Sequence, residues 1–216
     1  MKLLEDLVSL LYPTCCPGCQ RVTSPDTVWC EECLRPLWDP RLLNSSYTEH
    51  LDGCYTLCNY EGAIRDCIIQ LKYGGRVGRK QVFPPLLTRF PYWDQLQECD
   101  LAIPVPLSRK KLKERGYNQV DMIFESWMKK QGWTYLENGL IRFRNTHTQS
   151  LLSRQERYQN AKGSFHIRPG ITVKEKTILL LDDIYTTGAT MEAVAYELKR
   201  AGAKKVMGLT IASGAM

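Results

Sequence analysis

Two adjacent acids and a threonine-rich turn carry the clearest chemistry in this 216-residue chain. Asp182 and Asp183 follow the apolar run 178–181, which predicts a short buried strand. The segment 185–190, Tyr-Thr-Thr-Gly-Ala-Thr, then leads into a predicted helix. Small residues at such a turn let backbone N–H groups close on a phosphate, and the helix N-terminus adds partial positive charge. Because paired carboxylates suit sugar hydroxyls or Mg²⁺, the segment predicts a ribose-phosphate site.

The cysteines form the second group of side chains with possible chemistry. Five of the nine lie within residues 15–33, a clustering that indicates metal binding in a reducing compartment. Two Cys-x-x-Cys knuckles, ten residues apart, could give four thiolates to one tetrahedral Zn²⁺, as in a zinc ribbon. The predicted ligands are Cys16, Cys19, Cys30 and Cys33. Cys15 could replace Cys16, and a redox-active Cys-x-x-Cys is the alternative to a metal site.

The role expected for this metal is structural. Residues 13–40 contain too few apolar side chains for a core of their own, so metal binding would supply their folding free energy. Four thiolates would also fill the coordination sphere and leave no position for a reactive water. Three further cysteines lack a complete ligand pattern and are predicted to pack as small hydrophobic residues: Cys54, Cys58 and Cys67.

Two basic segments follow predicted elements of the same domain. Lys72 opens the sequence Lys-Tyr-Gly-Gly-Arg, a turn that could bind phosphate or simply end a helix with a cation. Residues 109–115 hold five cations directly after a predicted strand. A charge run is usually a solvated face, but a position after a second strand, beside a phosphate site, favours an anion-binding loop.

The elements that must position these groups alternate between strands and helices. The predicted strands are 54–60, 101–106, 139–143, 178–181 and 204–211, and the predicted helices are 62–73, 119–130 and 189–201. This alternation predicts an α/β fold with an open, mainly parallel sheet and right-handed helical crossovers. The polar stretch 146–157 is predicted to be either a mobile cover over a ligand or an amphipathic helix.

The composition is that of an ordinary globular protein, with 44% hydrophobic and 24% charged residues. A net charge of +6 favours anionic ligands such as phosphates or nucleic acid. The first 13 residues include Glu5 and Asp6 and match neither a signal peptide nor a membrane span, which needs about 20 apolar residues. Leucines at helical spacing predict an amphipathic helix over 1–12. A cytoplasmic location is expected.

Several blocks in a fixed order resemble the ComF family of competence proteins. They are the paired knuckles, QLKYGG at 70–75, IPVPLSRKKLKERGYNQ at 103–119, TQSLLSRQERYQNAKGSF at 148–165 and LLLDDIYTTGAT at 179–190. The last block also resembles the PRPP-binding motif of type I phosphoribosyltransferases. The thirteen residues 178–190 agree with that motif in order and type, which favours this interpretation over a buried strand with an ordinary helix cap.

The resemblance implies a type I phosphoribosyltransferase-like domain over 51–216. An N-terminal helix over 1–12 and a four-cysteine zinc-ribbon module over 13–50 would precede it. It also implies that Asp182 and Asp183 face the ribose hydroxyls, with Mg²⁺ accompanying PRPP. The residues expected to wrap the 5′-phosphate are Thr186, Thr187, Gly188, Ala189 and Thr190.

Two functional hypotheses follow from the resemblance. As a phosphoribosyltransferase, the chain would transfer ribose 5-phosphate from PRPP to a nucleobase-like acceptor that the sequence does not identify. The residues expected to serve that reaction are Asp182, Asp183, Arg109 and Arg115, and those expected to contact the diphosphate are Lys72, Arg109 and Lys110.

The second hypothesis is a component of natural transformation that retains the PRPP pocket for binding or regulation. The basic segments 76–80 and 109–115, with Tyr73, Tyr117 and Tyr158 near them in sequence, could track single-stranded DNA. Its expected partners are a competence helicase or translocase and single-strand-handling proteins, which could bring it to the inner face of the membrane. We favour a zinc-containing, PRPP-binding-type competence protein, with transferase activity left open.

Overall fold

A computed structural model describes residues 13–24, 27–43, 48–73, 77–143 and 163–214 of the chain. The predicted helix over 1–12 and the polar stretch 146–157 lie outside the described residues. Within the described ranges, no helix combines the length and the apolar character that crossing a bilayer requires.

The predicted alternation of strands and helices is confirmed. The strands are β1 Trp38–Leu43, β2 Gly53–Asn59, β3 Leu101–Pro104, β4 Leu140–Arg142, β5 Phe165–Ile167, β6 Thr177–Tyr185 and β7 Lys205–Ser213. The α-helices are α1 Glu31–Leu34, α2 Gly62–Tyr73, α3 Pro84–Arg89, α4 Arg109–Arg115, α5 Gln119–Lys130 and α6 Ala189–Arg200. Short 3₁₀ helices span Val77–Val82 and Trp93–Leu96.

Five strands form the main sheet, in the order β1-β2-β7-β6-β3. The neighbours β2, β7, β6 and β3 run parallel, and only β1 is antiparallel, at one edge. The sheet is therefore open and mainly parallel, as predicted. Strands β4 and β5 form a separate antiparallel ribbon.

Two apolar cores cover the two faces of the main sheet. One core joins the sheet to α2, α3 and α5 and includes Leu179 and Leu181 of β6. The other joins it to α6 and the β4–β5 ribbon and includes Ile178 and Leu180. Because successive side chains of a strand point to opposite faces, a central strand buried on both sides reads as a continuous apolar run.

Strand β6 is longer than predicted, and this places the two acids inside the strand rather than after it. The reason is its neighbour β7, which continues alongside β6 to the pair Tyr185 and Ser213. Strand β3 ends earlier, opposite Leu181. Beyond Leu181, β6 therefore has a partner on one side only, which leaves an open sheet edge beside the acids.

The basic run 109–115 forms a helix instead of the predicted loop. Ser108 begins α4 by accepting a hydrogen bond from the backbone N–H of Lys111. Gly116 ends it in the left-handed conformation, with φ 82°, which glycine adopts without a Cβ penalty. The run thus presents its cations around a short helix after β3.

The range predicted for the cysteine module, 13–50, includes a strand of the main sheet, because β1 pairs with β2. The module also shares the main core instead of lacking one. Its buried apolar side chains pack in the same core as α2 and α3, and they are Val28, Trp29, Leu34 and Leu37. Trp29 Nε1 donates a hydrogen bond to the carbonyl of Val82 at 2.8 Å. A metal held by the cysteines would therefore add to this shared packing, rather than supply all of the folding free energy of residues 13–40.

Candidate functional site

Asp183 lies on the α2/α5 side of β6, at the open edge of the sheet, and both of its carboxylate oxygens have partners. Lys72 Nζ, on α2, lies 2.5 Å from Oδ2. Gln119 Nε2, at the start of α5, donates to Oδ1 at 3.2 Å. The Asp183 side chain is 4% exposed and that of Lys72 is 18% exposed, so this is a largely buried ion pair. Burial by itself would lower the pKa of Lys72, but the charge of Asp183 outweighs burial and raises it.

Asp182 points to the opposite face of β6 and has a different environment. Its Oδ1 accepts the backbone N–H of Asp183 at 2.8 Å. Burial of the carboxyl group, reinforced by the charge of Asp183, raises the pKa of Asp182 well above its usual range. Arg142, on β4, is close enough for the two charges to interact.

The turn after β6 leads directly into the N-terminus of helix α6. Gly188 adopts φ 76° directly before α6, and its position leaves no space for a side chain. A Cβ there would overlap the hydroxyl oxygen of Tyr185. Thr187 Oγ1 accepts the N–H of Ala189 at 3.4 Å, while Thr186 is exposed. Because α6 is 12 residues long, its first N–H groups and its dipole favour an anion at this turn.

The sequence Arg-Gly-Tyr-Asn-Gln at 115–119 fixes the neighbours of Asp183. Tyr117 donates its hydroxyl to the carbonyl of Leu71 at 2.6 Å, which anchors the end of α2 beside Lys72. Asn118 caps α5 and donates to the carbonyl of Val105 at 3.1 Å. Arg115 contacts the Gln119 side-chain oxygen. This block therefore positions the candidate site through hydrogen bonds between four elements.

Lys72 is tied to the acids by an ion pair and Arg142 by its charge, and Lys111 and Arg115 lie near these two cations. The sequence-based predictions missed Lys111 and Arg142. Burial and the charges of Arg142, Arg115 and Lys72 lower the pKa of Lys111, so these four groups share one positive region. Lys111 lies inside the basic run, and the sequence alone does not distinguish it from the neighbouring cations as a candidate ligand. Arg142 had no signal at all, because only the backbone bridge between Ser108 and Arg142 brings β4 to this edge.

The cations predicted to serve the reaction or to contact the diphosphate divide between this region and the surface. Lys72 and Arg115 belong to the cluster of cations. The guanidinium of Arg109 lies 5.6 Å from the ring centroid of Phe143. Lys110 is exposed and lies 4.0 Å from Glu114 on the same helix. No contact among the described residues brings Lys110 to the acids, and we replace it with Lys111 as a candidate.

Four cysteine sulfurs converge at the other end of the chain. The Sγ atoms of Cys16, Cys19, Cys30 and Cys33 all lie within 4.8 Å of one another. Those of Cys19 and Cys30 are 3.7 Å apart. Tetrahedral Zn²⁺ with Zn–S distances of about 2.3 Å needs sulfurs about 3.8 Å apart, so the spacing fits such an ion.

The surroundings of the four sulfurs support the same assignment. A Cβ on Gly18 would lie 2.8 Å from the Cys33 sulfur, so the first knuckle can close only around glycine. Burial disfavours the Cys16 thiolate, yet hydrogen bonds from backbone N–H groups outweigh it and lower the pKa of Cys16 to about 6. Neighbouring thiolates raise the pKa of Cys33 to about 12, so a cation is needed for all four to ionise. Cys15 Sγ instead lies 3.5 Å from the carbonyl of Pro13.

Other parts of the structure carry less chemistry. Cys54, Cys58 and Cys67 are buried in the cores, as predicted, and burial raises their pKa values. A cleft of about 1280 Å³ lies between the cysteine cluster, α3 and α5, away from the acids. Glu31 and Arg89 on its wall form an ion pair at 2.7 Å. Its mixed charges do not define a ligand class.

Comparisons with known proteins agree with this arrangement. The family model for the "Phosphoribosyl transferase domain" matches residues 143–214, which contain the acids, the turn and α6. The chain is 31% identical over 191 residues to "Competence protein ComFC" of Streptococcus pneumoniae, covering 88% of this chain and 77% of that protein. It is 27% identical over 198 residues to "DNA utilization protein YhgH" of Escherichia coli K12, covering 88% and 86%. A solved glutamine PRPP amidotransferase from B. subtilis aligns with 52% of this chain and 22% of its own, at 24% identity and a TM-score of 0.34. The predicted type I phosphoribosyltransferase fold with an N-terminal cysteine cluster is confirmed.

Proposed function

Because the chain belongs to the ComFC family of competence proteins, we propose that it acts in natural transformation with a pocket for PRPP or another ribose 5-phosphate. The observation that carries the pocket is the meeting of three features at one sheet edge. These features are the acids of β6, the Gly188 turn at the N-terminus of α6, and the cations around Lys111. Ligands of open α/β sheets bind at such carboxyl edges.

Each part of this pocket suits one part of the ligand. The turn 186–190 would hold the 5′-phosphate with backbone N–H groups, as proposed for Thr186 through Thr190. The acids would face the ribose hydroxyls and the Mg²⁺ that accompanies PRPP. Lys72, Lys111, Arg115 and Arg142 would neutralise the diphosphate.

Calorimetric titration of PRPP with Mg²⁺ into the full chain tests the pocket. Thr186→Glu places a negative charge on an exposed residue of the turn, where it would repel the phosphate. We expect it to weaken PRPP binding by about tenfold or more. The matched control is Ser126→Glu, an exposed position on α5, which should bind like the wild type. Equal weakening by both variants would contradict the placement of the pocket.

We also propose that single-stranded DNA follows the surface of α4. Two exposed aromatic rings flank this basic helix, and each lies beside an arginine. Tyr73 is 76% exposed with Arg115 at 5.4 Å from its centroid, and Phe143 is 56% exposed beside Arg109. Exposed rings among cations suit base stacking and phosphate contact without sequence preference. The name of the E. coli relative, a DNA utilization protein, points to the same class of ligand.

Anisotropy of a labelled dT oligonucleotide, measured over a range of salt concentrations, tests this surface. Arg109→Gln should reduce the slope of log affinity against log salt by about 0.7, the value for one phosphate contact on a single strand. Phe143→Ala should weaken binding at every salt concentration. Lys204→Gln, an exposed cation before β7, is the control. No binding at low ionic strength would exclude direct DNA contact.

The cysteine cluster, we propose, holds a structural Zn²⁺, because four sulfurs leave no open coordination position. The chain would work in the cytoplasm, with a competence helicase or translocase as partner at the inner face of the membrane. The name of its pneumococcal relative, a competence protein, supports a role in competence.

A second candidate function is an active phosphoribosyltransferase. The cations at this sheet edge favour it, because a leaving diphosphate gains charge in the transition state. Release of diphosphate from PRPP, assayed against a panel of nucleobases, tests this activity. Turnover that Lys111→Gln reduces would support it, and PRPP binding without turnover for any base would favour a binding role.

A further inference from the structure

The proposed PRPP pocket and the proposed DNA surface are neighbours in the structure. Two cations of the pocket, Lys72 and Arg142, are each followed directly in sequence by an exposed ring of the DNA surface, Tyr73 and Phe143. Helix α4 belongs to both regions, because it carries a cation close to Lys72 and Arg142 and an arginine beside each ring. A ligand bound in one region therefore changes the charge that the other region presents.

Helix α4 carries different cations on its two sides. Lys111 and Arg115 are half-buried and lie one turn apart, so they share the face that turns toward the pocket. The other cations of the helix, Arg109, Lys110 and Lys113, are exposed. Because an α-helix with its side chains is only about 10–12 Å wide, anions bound on the two faces would lie close together.

Arg115 has contacts in both regions. Its guanidinium contacts the side-chain oxygen of Gln119, whose amide nitrogen donates to Asp183 at 3.2 Å. The same guanidinium lies 5.4 Å from the ring centroid of Tyr73, which is 76% exposed. It carries one positive charge and a fixed set of N–H donors. A diphosphate in the pocket and a DNA phosphate beside Tyr73 would therefore draw on the same group.

We propose that PRPP and single-stranded DNA compete: PRPP in the pocket weakens DNA binding along α4, and bound DNA weakens PRPP binding to the same extent. This inference rests on the proposed pocket and DNA surface, and it adds the regulation of one by the other. Anions on the two faces of α4 repel each other over a distance comparable with the Debye length, about 8 Å at physiological ionic strength. The demand on Arg115 adds to this repulsion. Because coupling between two binding sites is reciprocal, one factor describes both effects.

The diphosphate group of PRPP should cause the competition, rather than its 5′-phosphate. The 5′-phosphate would bind at the turn 186–190, before α6. The diphosphate would bind among the cations near α4, which include Lys72 in its ion pair with Asp183. Ribose 5-phosphate lacks the diphosphate, so it would occupy the turn and leave the cations of α4 to DNA. Release of DNA would thus depend on which ribose phosphate the pocket holds.

A displacement titration on the full chain tests this inference. A labelled dT oligonucleotide is bound at low ionic strength, and its anisotropy is followed while PRPP is added at constant Mg²⁺. Ribose 5-phosphate is the matched ligand control, and sodium chloride keeps the ionic strength equal in all samples, because DNA binding depends on salt. Calorimetric titration of PRPP, with and without saturating oligonucleotide, measures the reverse effect.

We expect saturating PRPP to weaken dT binding by about tenfold, which lies within the usual range for coupled sites. Saturating dT should weaken PRPP binding by the same factor. Ribose 5-phosphate should leave dT binding close to that of the free protein. Release of dT by ribose 5-phosphate as effectively as by PRPP would contradict the role of the diphosphate.

Thr186→Glu distinguishes competition through the pocket from general displacement of DNA by an anion. Since this change weakens PRPP binding at the turn, it should raise the PRPP concentration needed to release DNA by the same factor. Release at the wild-type concentration would show that PRPP acts outside the pocket and would overturn the inference.

Arg115→Gln tests the shared group. It should weaken PRPP binding and also lower the slope of log DNA affinity against log salt by about 0.7, the value for one phosphate contact. Lys113→Gln, on the exposed face of the same helix, is the matched control and should leave PRPP affinity unchanged. An Arg115→Gln variant that changes the binding of only one ligand would contradict the shared role of Arg115.

The titrations of the wild-type chain decide the inference without any substitution. A chain that binds both ligands, with neither lowering the affinity for the other, would overturn the competition. Failure to bind PRPP alone would refute the proposed pocket, and failure to bind dT alone at low ionic strength would refute the DNA surface. In either of these cases the competition falls together with the site on which it rests.

Discussion

The cysteine cluster and the acid site are both built from polar side chains, but they are assembled in different ways. The four cysteines lie within 18 residues of chain, and two short knuckles bring their sulfurs together. The acid site combines β6 with Lys72 of α2, Gln119 of α5 and Arg142 of β4. A local cluster can be identified from spacing, whereas a site made of distant elements depends on the whole fold. The two regions should therefore respond differently to substitution.

The largest effect is expected from loss of the metal. Cys30→Ser should abolish stoichiometric zinc and lower the thermal unfolding midpoint strongly, because structural zinc contributes on the order of 10 kcal/mol in small zinc modules. Metal analysis and thermal unfolding measure both outcomes. Cys15→Ser is the matched control and should keep zinc and stability, since Cys15 lies outside the cluster. Zinc lost from Cys15→Ser but kept in Cys16→Ser would reverse the assignment.

A smaller effect on stability, but a large one on binding, is expected from Gly188→Val. The valine side chain would collide with the hydroxyl of Tyr185. It would also place a β-branched residue at φ 76°, a conformation that favours glycine. Backbone strain of this kind costs about 1–3 kcal/mol. We expect weaker PRPP binding by about tenfold or more with unchanged zinc content. Gly214→Val, where a Cβ meets nothing within 4 Å, is the control. Zinc loss in Gly188→Val would show that the two regions are coupled.

The smallest effect concerns a third acid, Asp121, which has a tyrosine partner instead of a cation. The Tyr135 hydroxyl donates to Asp121 at 2.7 Å, and burial raises the pKa of Asp121 to about 7. A carboxyl whose folded pKa is raised binds its proton more tightly in the folded state. Stability should therefore be highest below about pH 4 for this group and fall between its ordinary pKa of 3.8 and about pH 7.

Asp121→Asn should remove this pH dependence. Because solvent screens the partly buried carboxyl, the change in the free energy of unfolding should be on the order of 1–2 kcal/mol. Urea unfolding at pH 5 and pH 7.5 measures it, with Asp66→Asn at an exposed position on α2 as the control. An unchanged pH profile in Asp121→Asn would contradict the raised pKa. Asp121 would then no longer illustrate how a buried acid without a cation partner differs from Asp183, which has one.

The sequence predicted those parts of the fold that depend on local patterns. The helices 62–73 and 119–130 have the predicted bounds, because each has an apolar stripe and a clear end. Strand β1 was not predicted, since it contains Pro40 and charged residues that usually argue against a strand. It tolerates them as an edge strand with an irregular register between Trp38 and Arg41.

In the candidate site, too, only the local motifs were predictable from the sequence. The acids, the Gly188 turn and the cysteine knuckles are local motifs and could be identified from spacing. The pairing of Lys72 with Asp183 joins residues far apart in sequence, so no pattern within either segment could indicate it. The contribution of Arg142 depends on the bridge between β4 and Ser108 and is equally invisible in the sequence.

Hydrogen–deuterium exchange of the full chain, with and without PRPP and Mg²⁺, tests the central claim most directly. It reports where the ligand binds without any substitution. We expect slower exchange at residues 186–190 and at the first turn of α6, with no change across the knuckles at 16–33. Protection confined to other segments, or none at ligand concentrations that saturate binding, would contradict a ribose-phosphate pocket at this edge of the sheet.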